Sequence, residues 1–419
     1  MLQEVATMGA RQAVVITGMG LVSPIGANVA ELATALLENR SGIRQIQAPP
    51  LERAYPAAIV TIDPGEQLSA LALVYLDRCQ QLALLAAGNA LHDAGLDRMD
   101  QFGNRAGLYY GNVNGGSATA QASYRQLFCE QMQAGKPYAL MAVMQNGGAA
   151  QISIKHGITG PVHTHGSACA ASGAALGEAA RAIRDGYLDI AIAGGAEAPL
   201  TGAMFCGFEG ARALARVDPV DVGRSCRPFD IRRSGLVLGE GAAFLVLESE
   251  RHALARGAAC LAYLAGYGTS ADAHHIAMPF ADGQARAIRM ALDDAGLDPS
   301  QLHYLNAHGT ATRGGDPVEA SAIRSVFGSG SASVPVSSTK ALHGHLLGAA
   351  GALECIIAVL AIRRRMLPAT AGLEQPDPAC MLNHIASVSV PNQDIHTAMS
   401  LSCGFGGTNV ALLVSKYIG

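Results

Sequence analysis

The chain has 419 residues, half of them hydrophobic and 15% charged, with 49 glycines, no tryptophan and a formal net charge of −4. Such a length asks for one very large domain or two fused ones with an extensive core, which excludes a disordered segment and a small disulfide-stapled scaffold. The near-neutral balance lacks the basic excess of a nucleic-acid binder, and no uncharged apolar run is long enough to span a membrane, so neither partner is expected.

Residues 1–11 show no basic-then-apolar leader, which predicts a cytoplasmic protein. Residues 13–17 (AVVIT) form a continuous β-prone run, the pattern of a buried parallel strand. The uncharged stretch 71–75 (LALVY) admits two readings, burial in the core or cover by a protein partner. Residues 80–94 carry helical spacing closed by Gly95, and 105–110 read as a strand leading into the glycine-rich 111–116. A strand over 162–165 precedes GSACAASG (166–173) and a helix in which Leu176, Ala179, Ala180 and Ile183 share a face, ended by Gly186. Strands follow at 189–193 and 242–247, separated by a long loop at 217–231. Helical patterns at 283–295, 317–327 and 346–365 then alternate with strands at 302–305, 334–337 and 399–402. This alternation predicts a mainly parallel α/β architecture with helices on both sheet faces.

Nine scattered cysteines without a CxxC pair read as buried thiols, with one or two reactive ones. Cys169 falls at the predicted helix start, where unpaired N–H groups and the macrodipole favour an anion and lower a thiol pKa. The other reading of Cys169 is a buried structural residue in a tight Ala/Gly turn. His308 leaves a predicted strand at its carboxyl end, where α/β active sites gather. His345 sits near the start of the glycine- and alanine-rich helix, where the dipole keeps imidazole neutral and able to donate to an oxyanion. Structural roles for both histidines stay open at this point. The pairs His163/His165 and His343/His345 lack an evident third or fourth ligand, so no metal is expected. The glycine-rich 111–116 and 404–407 have neither a phosphate-loop lysine nor dinucleotide spacing.

The ordered motifs VVITGMGLVSPIG (14–26), SACAASG (167–173), FDIRRSGLVLGEGA (229–242), NAHGTATRGGDPVEA (306–320), SSTKALHGHLLGAAGA (337–352) and CGFGGTNVALL (403–413) cover nearly the whole chain. In these motifs the chain resembles the type II β-ketoacyl-acyl-carrier-protein synthases of the thiolase superfamily. The resemblance implies an α/β thiolase-like fold of two similar βα halves, 11–255 and 256–419, in five α-β-α-β-α layers. It implies decarboxylative condensation of a Cys169-bound acyl chain with malonyl-acyl-carrier protein, in fatty-acid or polyketide and polyene assembly. His308 and His345 would stabilise the enolate, and Lys340 would organise the site with Glu319. Backbone N–H groups of Cys169 and Phe405 would form the oxyanion hole, with Phe405 gating the acyl pocket. Thr310 and Thr312 would bind the phosphopantetheine arm, and Arg212 would be a docking charge for the acyl carrier protein. No cofactor beyond that carried arm is implied, and the expected assembly is a homodimer, or a heterodimer with a chain-length-factor-like subunit.

Three departures from the family pattern matter. Asn114 stands where an aliphatic residue commonly faces the acyl pocket, which points to a polar, unsaturated or short chain, or to an amide turned onto backbone. The stretch 71–75 is apolar where the fatty-acid enzymes are often basic and meet their carrier. Cys403 precedes the last glycine-rich loop, where thiolases keep a second cysteine as general base, so a non-decarboxylative acyltransferase is one rival reading. A non-catalytic chain-length subunit is the other, and the retained Cys169, His308, Lys340 and His345 argue against it.

Overall fold

Branched and small apolar residues without an intervening charge form strand β1, Val14–Val22, buried along its whole length in the computed structural model, which describes residues 11–328 and 334–419. The leader reading of residues 1–10 lies outside the described residues. The next strands are β2 (Ile43–Gln47), β3 (Ala54–Ala58), β4 (Ala106–Gly111), β5 (Val162–His165), β6 (Ile190–Glu197), β7 (Leu238–Gly239) and β8 (Gly241–Ser249). The second half adds β9 (Ala262–Ala271), β10 (Tyr304–Asn306), β11 (Pro335–Ser337), β12 (Asn383–His384), β13 (Thr397–Cys403) and β14 (Thr408–Ser415). Strands β2, β3 and β7 make a small sheet; the rest form one eleven-stranded sheet in the order β12-β11-β10-β13-β14-β9-β1-β8-β6-β4-β5.

The order contains an internal repeat. With the five principal strands of each half numbered along the chain, β5-β4-β6-β8-β1 and β11-β10-β13-β14-β9 both read 3-2-4-5-1. In each half the first three of these are mutually parallel and the last two pairings antiparallel. This corrects the mainly parallel expectation: the halves also meet through an antiparallel β1–β9 pairing, Val15 opposite Tyr263 and Ile16 opposite Ala262. A hairpin at residues 404–407 obliges β13 and β14 to run antiparallel, a constraint that strand propensity alone does not reveal.

The repeat generates layers. Helices Ala171–Arg184 and Ala350–Arg364 pack between the two parts of the sheet, where Leu176, Ile183, Leu353 and Ile357 share a core with Ile16, Leu245, Leu412 and Val414. Helix Arg78–Asp93 covers the outer face of the first half, with Leu82, Leu85 and Leu91 against Leu108, Ile192 and Val246. Helices Ala281–Ala295 and Gly315–Phe327 cover the second, where Ile288, Leu292 and Ile323 meet Leu305, Met399 and Leu413. Helix and strand approach so closely that a Cβ on Gly20 would lie 2.1 Å from the Ala90 nitrogen, which accounts for the glycine interrupting β1.

The two central helices also start alike. Each is preceded by a single 3-10 turn, Ala168–Ala170 before one and Leu347–Ala349 before the other. The first residue of each turn is left-handed, with φ +49° at Ala168 and +44° at Leu347, a conformation that costs about 1–3 kcal/mol in a non-glycine residue and is held by surrounding packing.

Candidate active site

The site forms where strands two, three and four of both halves end. Strand β5 delivers Cys169 in the 3-10 turn, 8% exposed, ahead of the helix and not within its first α-turn. Its neighbours in the core are Ala48, Tyr55, Phe205, Leu214, Leu238 and Leu347, an apolar wall suited to an acyl chain. The expectation of a dipole-lowered thiol is corrected here. Burial, with a smaller push from the Glu197 charge, holds the Cys169 thiol up at about 12, outweighing the lowering by Lys340 and by the backbone N–H groups of Phe405 and Cys169. Those two amides face the sulfur, at the place the resemblance assigns to the oxyanion hole.

His308 follows β10, and its position is set from the backbone. Glu319 accepts the N–H of His308 at 2.6 Å and of Gly309 at 2.7 Å. His345 is held by its own N–H donated to Val237 at 2.7 Å and its carbonyl accepting from Gly239 at 2.9 Å. The two rings meet edge to face with centroids 5.2 Å apart. The Cys169 sulfur and one nitrogen of each ring lie within 4.8 Å of one another. Burial, then Lys340, push both histidines well below the usual imidazole range, so they are neutral at pH 7. The neutral state expected for His345 is present; its largest cause is desolvation, because a 3-10 turn separates the ring from the Ala350–Arg364 helix start.

The resemblance has Lys340 organise the site with Glu319; the structure gives it Glu354 as its ion-pair partner and leaves Glu319 to sense its charge. Lys340 is fully buried and its ammonium is paired with Glu354, on the following helix, while Glu319 spends its oxygens on backbone amides. Burial holds the Glu319 carboxyl up at about 8 and that of Glu354 at about 7. Glu354 was missed as a site residue, although a lone carboxylate inside an apolar helix is itself the signal of a buried partner.

Phe405 is half exposed at the tip of the β13–β14 hairpin, with its ring 6.4 Å from that of Phe208. Thr310 is buried, and its hydroxyl lies 3.2 Å from that of Thr312. Arg212 is exposed beyond helix Gly202–Gly210, left-handed at φ +55°. Asn114 donates its backbone N–H to Glu197 at 3.1 Å; its side-chain amide lies beside the same carboxylate, buried and without a close hydrogen bond. Cys403 adjoins the site, and burial holds its thiol well above the ordinary range. Helix Ala70–Tyr75 buries none of its residues, and Leu71 and Val74 are 65% and 75% exposed, which removes the core-burial reading of 71–75.

Among the described residues, one group has metal-ligand spacing, and it is Cys169, His308 and His345 themselves. His163 and His165 instead stack near Tyr109 along β5.

Comparison with known proteins gives one consistent result. Residues 11–253 match the model of the β-ketoacyl synthase N-terminal domain, and residues 261–374 that of the C-terminal domain. The chain is 38% identical to 3-oxoacyl-[acyl-carrier-protein] synthase 2 of Staphylococcus aureus strain N315, over 98% of this chain and all of that one. It is 40% identical to Nodulation protein E of Rhizobium leguminosarum bv. trifolii, over 95% of this chain and 98% of that one. Among solved structures, the ishigamide ketosynthase/chain length factor superposes with a TM-score of 0.90 at 34% identity, covering 97% of this chain and 100% of the other.

Proposed function

This chain belongs to the β-ketoacyl synthase family, and from that premise we propose how its own residues carry out the reaction. The activity is acyl transfer with carbon–carbon bond formation: an acyl chain held on cysteine condenses with malonyl-acyl-carrier protein, CO₂ leaves, and a β-ketoacyl-carrier product forms. Residues 11–255 supply the nucleophile and residues 256–419 supply the imidazoles, the lysine and the hairpin.

Cys169 rests as a thiol, since burial holds its proton on. As sulfur attacks the acyl thioester, that proton passes to a neutral neighbouring imidazole and then to the departing carrier thiol. Malonyl-carrier enters next. Breaking its C–CO₂ bond leaves the electron pair as an enolate, whose oxygen accepts hydrogen bonds from His308 and His345. The enolate carbon attacks the Cys169 thioester carbonyl, the backbone N–H groups of Cys169 and Phe405 hold the resulting oxyanion, and on its collapse sulfur leaves as a thiolate that takes up a proton from solvent, its first proton having gone with the carrier thiol. Preorganised donors of this type are each worth about 10²–10³ in rate. Lys340 adds charge repulsion to the burial that keeps the imidazoles neutral, and needs Glu354 to stay buried itself. Thr310 and Thr312 flank the approach for a pantetheine arm, Arg212 offers an exposed charge to an acidic carrier, and Phe405 gates the acyl wall. The steps use no resident metal or nucleotide.

The observation that carries this reading is the convergence of one sulfur and two neutral imidazoles within 4.8 Å, under two backbone amides. Measuring condensation and CO₂ release with malonyl-carrier protein tests it. Cys169→Ala should abolish condensation while CO₂ release continues; His308→Ala should lower CO₂ release by about a hundredfold or more. Condensation that survives in Cys169→Ala rejects the assignment, and loss of condensation only in Cys403→Ser would favour thiolase-like chemistry.

The partners follow from the same membership. The carrier is the acyl carrier protein, and the chain assembles with a second ketosynthase-fold chain, either its own copy or a chain-length-factor-like subunit. The uncovered Leu71 and Val74 support a protein contact at that helix. No helix among the described residues is long and apolar enough to cross a membrane.

A further inference from the structure

One buried carboxylate near the nucleophile has no part in the steps above. Glu197 ends β6 and is fully buried, yet none of its hydrogen bonds comes from a cation. One carboxylate oxygen accepts the backbone N–H of Val113 at 2.9 Å and of Gly348 at 3.2 Å, and the other accepts that of Asn114 at 3.1 Å. Val113 and Asn114 lie in the glycine-rich loop after β4, while Gly348 is the middle residue of the 3-10 turn in the opposite half. Val113 and Leu347, each adjoining one of these contacts, pack in the apolar cluster that contains Cys169. A buried acid that joins two segments of the acyl wall through three amides is a costly way to close a gap, which argues for a positional role.

We propose that Glu197 is a positioning residue for acyl transfer, locking the 111–116 loop to the Leu347–Ala349 turn and thereby setting which acyl chains Cys169 accepts. This rests on the condensing reading given above. Glu197 makes no hydrogen bond to His308 or His345, so its loss should weigh on acylation more than on decarboxylation.

Geometry makes the lock sensitive from both ends. A Cβ added at Gly348 would lie 2.7 Å from the nearer Glu197 oxygen and 3.1 Å from the Asn112 Cα and the Val113 nitrogen, a wedge into the junction. Glutamine at 197 keeps the size but presents an NH₂ group to at least one backbone N–H. Three titratable groups sense this carboxylate: Cys79 and Tyr110, both held well above their ordinary range by burial, and Cys169 at about 12. Burial raises Glu197 to about 7, so near neutrality it is the member of this group that changes charge.

The test uses the full-length enzyme with acyl-carrier thioesters of several chain lengths and with malonyl-carrier alone. In E197Q and in Gly348→Ala, kcat/KM for acyl transfer should fall about tenfold further than unprimed CO₂ release, with a changed ranking of chain lengths. A second readout separates charge from shape. Ionising Glu197 opposes thiolate formation, so between pH 6 and 8 the native iodoacetamide rate at Cys169 should climb less than tenfold per pH unit. In E197Q it should climb by about tenfold, the slope of an uncoupled thiol. Equal losses in transfer and decarboxylation with an unchanged ranking, or identical alkylation slopes, overturn the inference. Failure of the native enzyme to condense at all would instead overturn the functional reading.

Discussion

Cys169 shows how far a local motif informs and where it stops. The glycine- and alanine-flanked strand exit marks the residue, just as glycine-flanked exits mark His308 and His345. The direction of its pKa was not legible, because desolvation is imposed by the apolar wall, assembled from distant segments. A helix dipole of modest worth loses to full burial. With a thiol near 12, the Cys169 alkylation rate should keep climbing past pH 9, and Lys340→Met should slow it at every pH by removing the charge that favours thiolate. Iodoacetamide kinetics with peptide mapping check this, and a plateau below about pH 8 would contradict it. The Lys340 partner was equally beyond sequence: Glu319 and Glu354 lie on different helices, one before Lys340 and one after, and only the tertiary packing decides between them.

Among the elements, the long periodic helices were read to within a few residues: 80–94 is observed as Arg78–Asp93, and 283–295 as Ala281–Ala295. Strand ends were poorer, since 189–193 extends to Ile190–Glu197 and 399–402 grows to Thr397–Cys403. Their glycine and polar ends lack β propensity and are held by ladder pairing. The predicted helix 346–365 opens as a 3-10 turn and becomes α-helical only at Ala350. Helix Ala70–Tyr75 is the instructive case, because its apolar residues imitate a core segment while facing outward. Leu71→Lys with Val74→Lys should therefore change stability by less than about 0.5 kcal/mol, whereas two core leucines replaced this way would cost several. Thermal melting of the isolated chain measures the difference, and a large drop would return those residues to an interior.

For the whole molecule, the eleven-stranded sheet has unequal edges. β12 is two residues long, while β5 offers four, with Val162 40% exposed and no neighbour on its outer side among the described residues. An edge of that kind is a template for a second chain. The purified chain should run at twice its 43.0 kDa mass, and Val162→Pro, which removes an edge N–H donor, should shift it toward monomer. Light scattering checks both; a native monomer would point to an obligatory unlike subunit.

The matched turns ahead of the two central helices leave the molecule with one occupied and one silent position. Cys169 stands second in one turn and Gly348 second in the other. Where the first holds a buried thiol beneath a hairpin, the second holds a bare backbone beneath a carboxylate, too close to admit any side chain without displacement. The same turn is thus used twice to different ends, once to present a side chain and once to present a backbone N–H that ties the two halves together through Glu197.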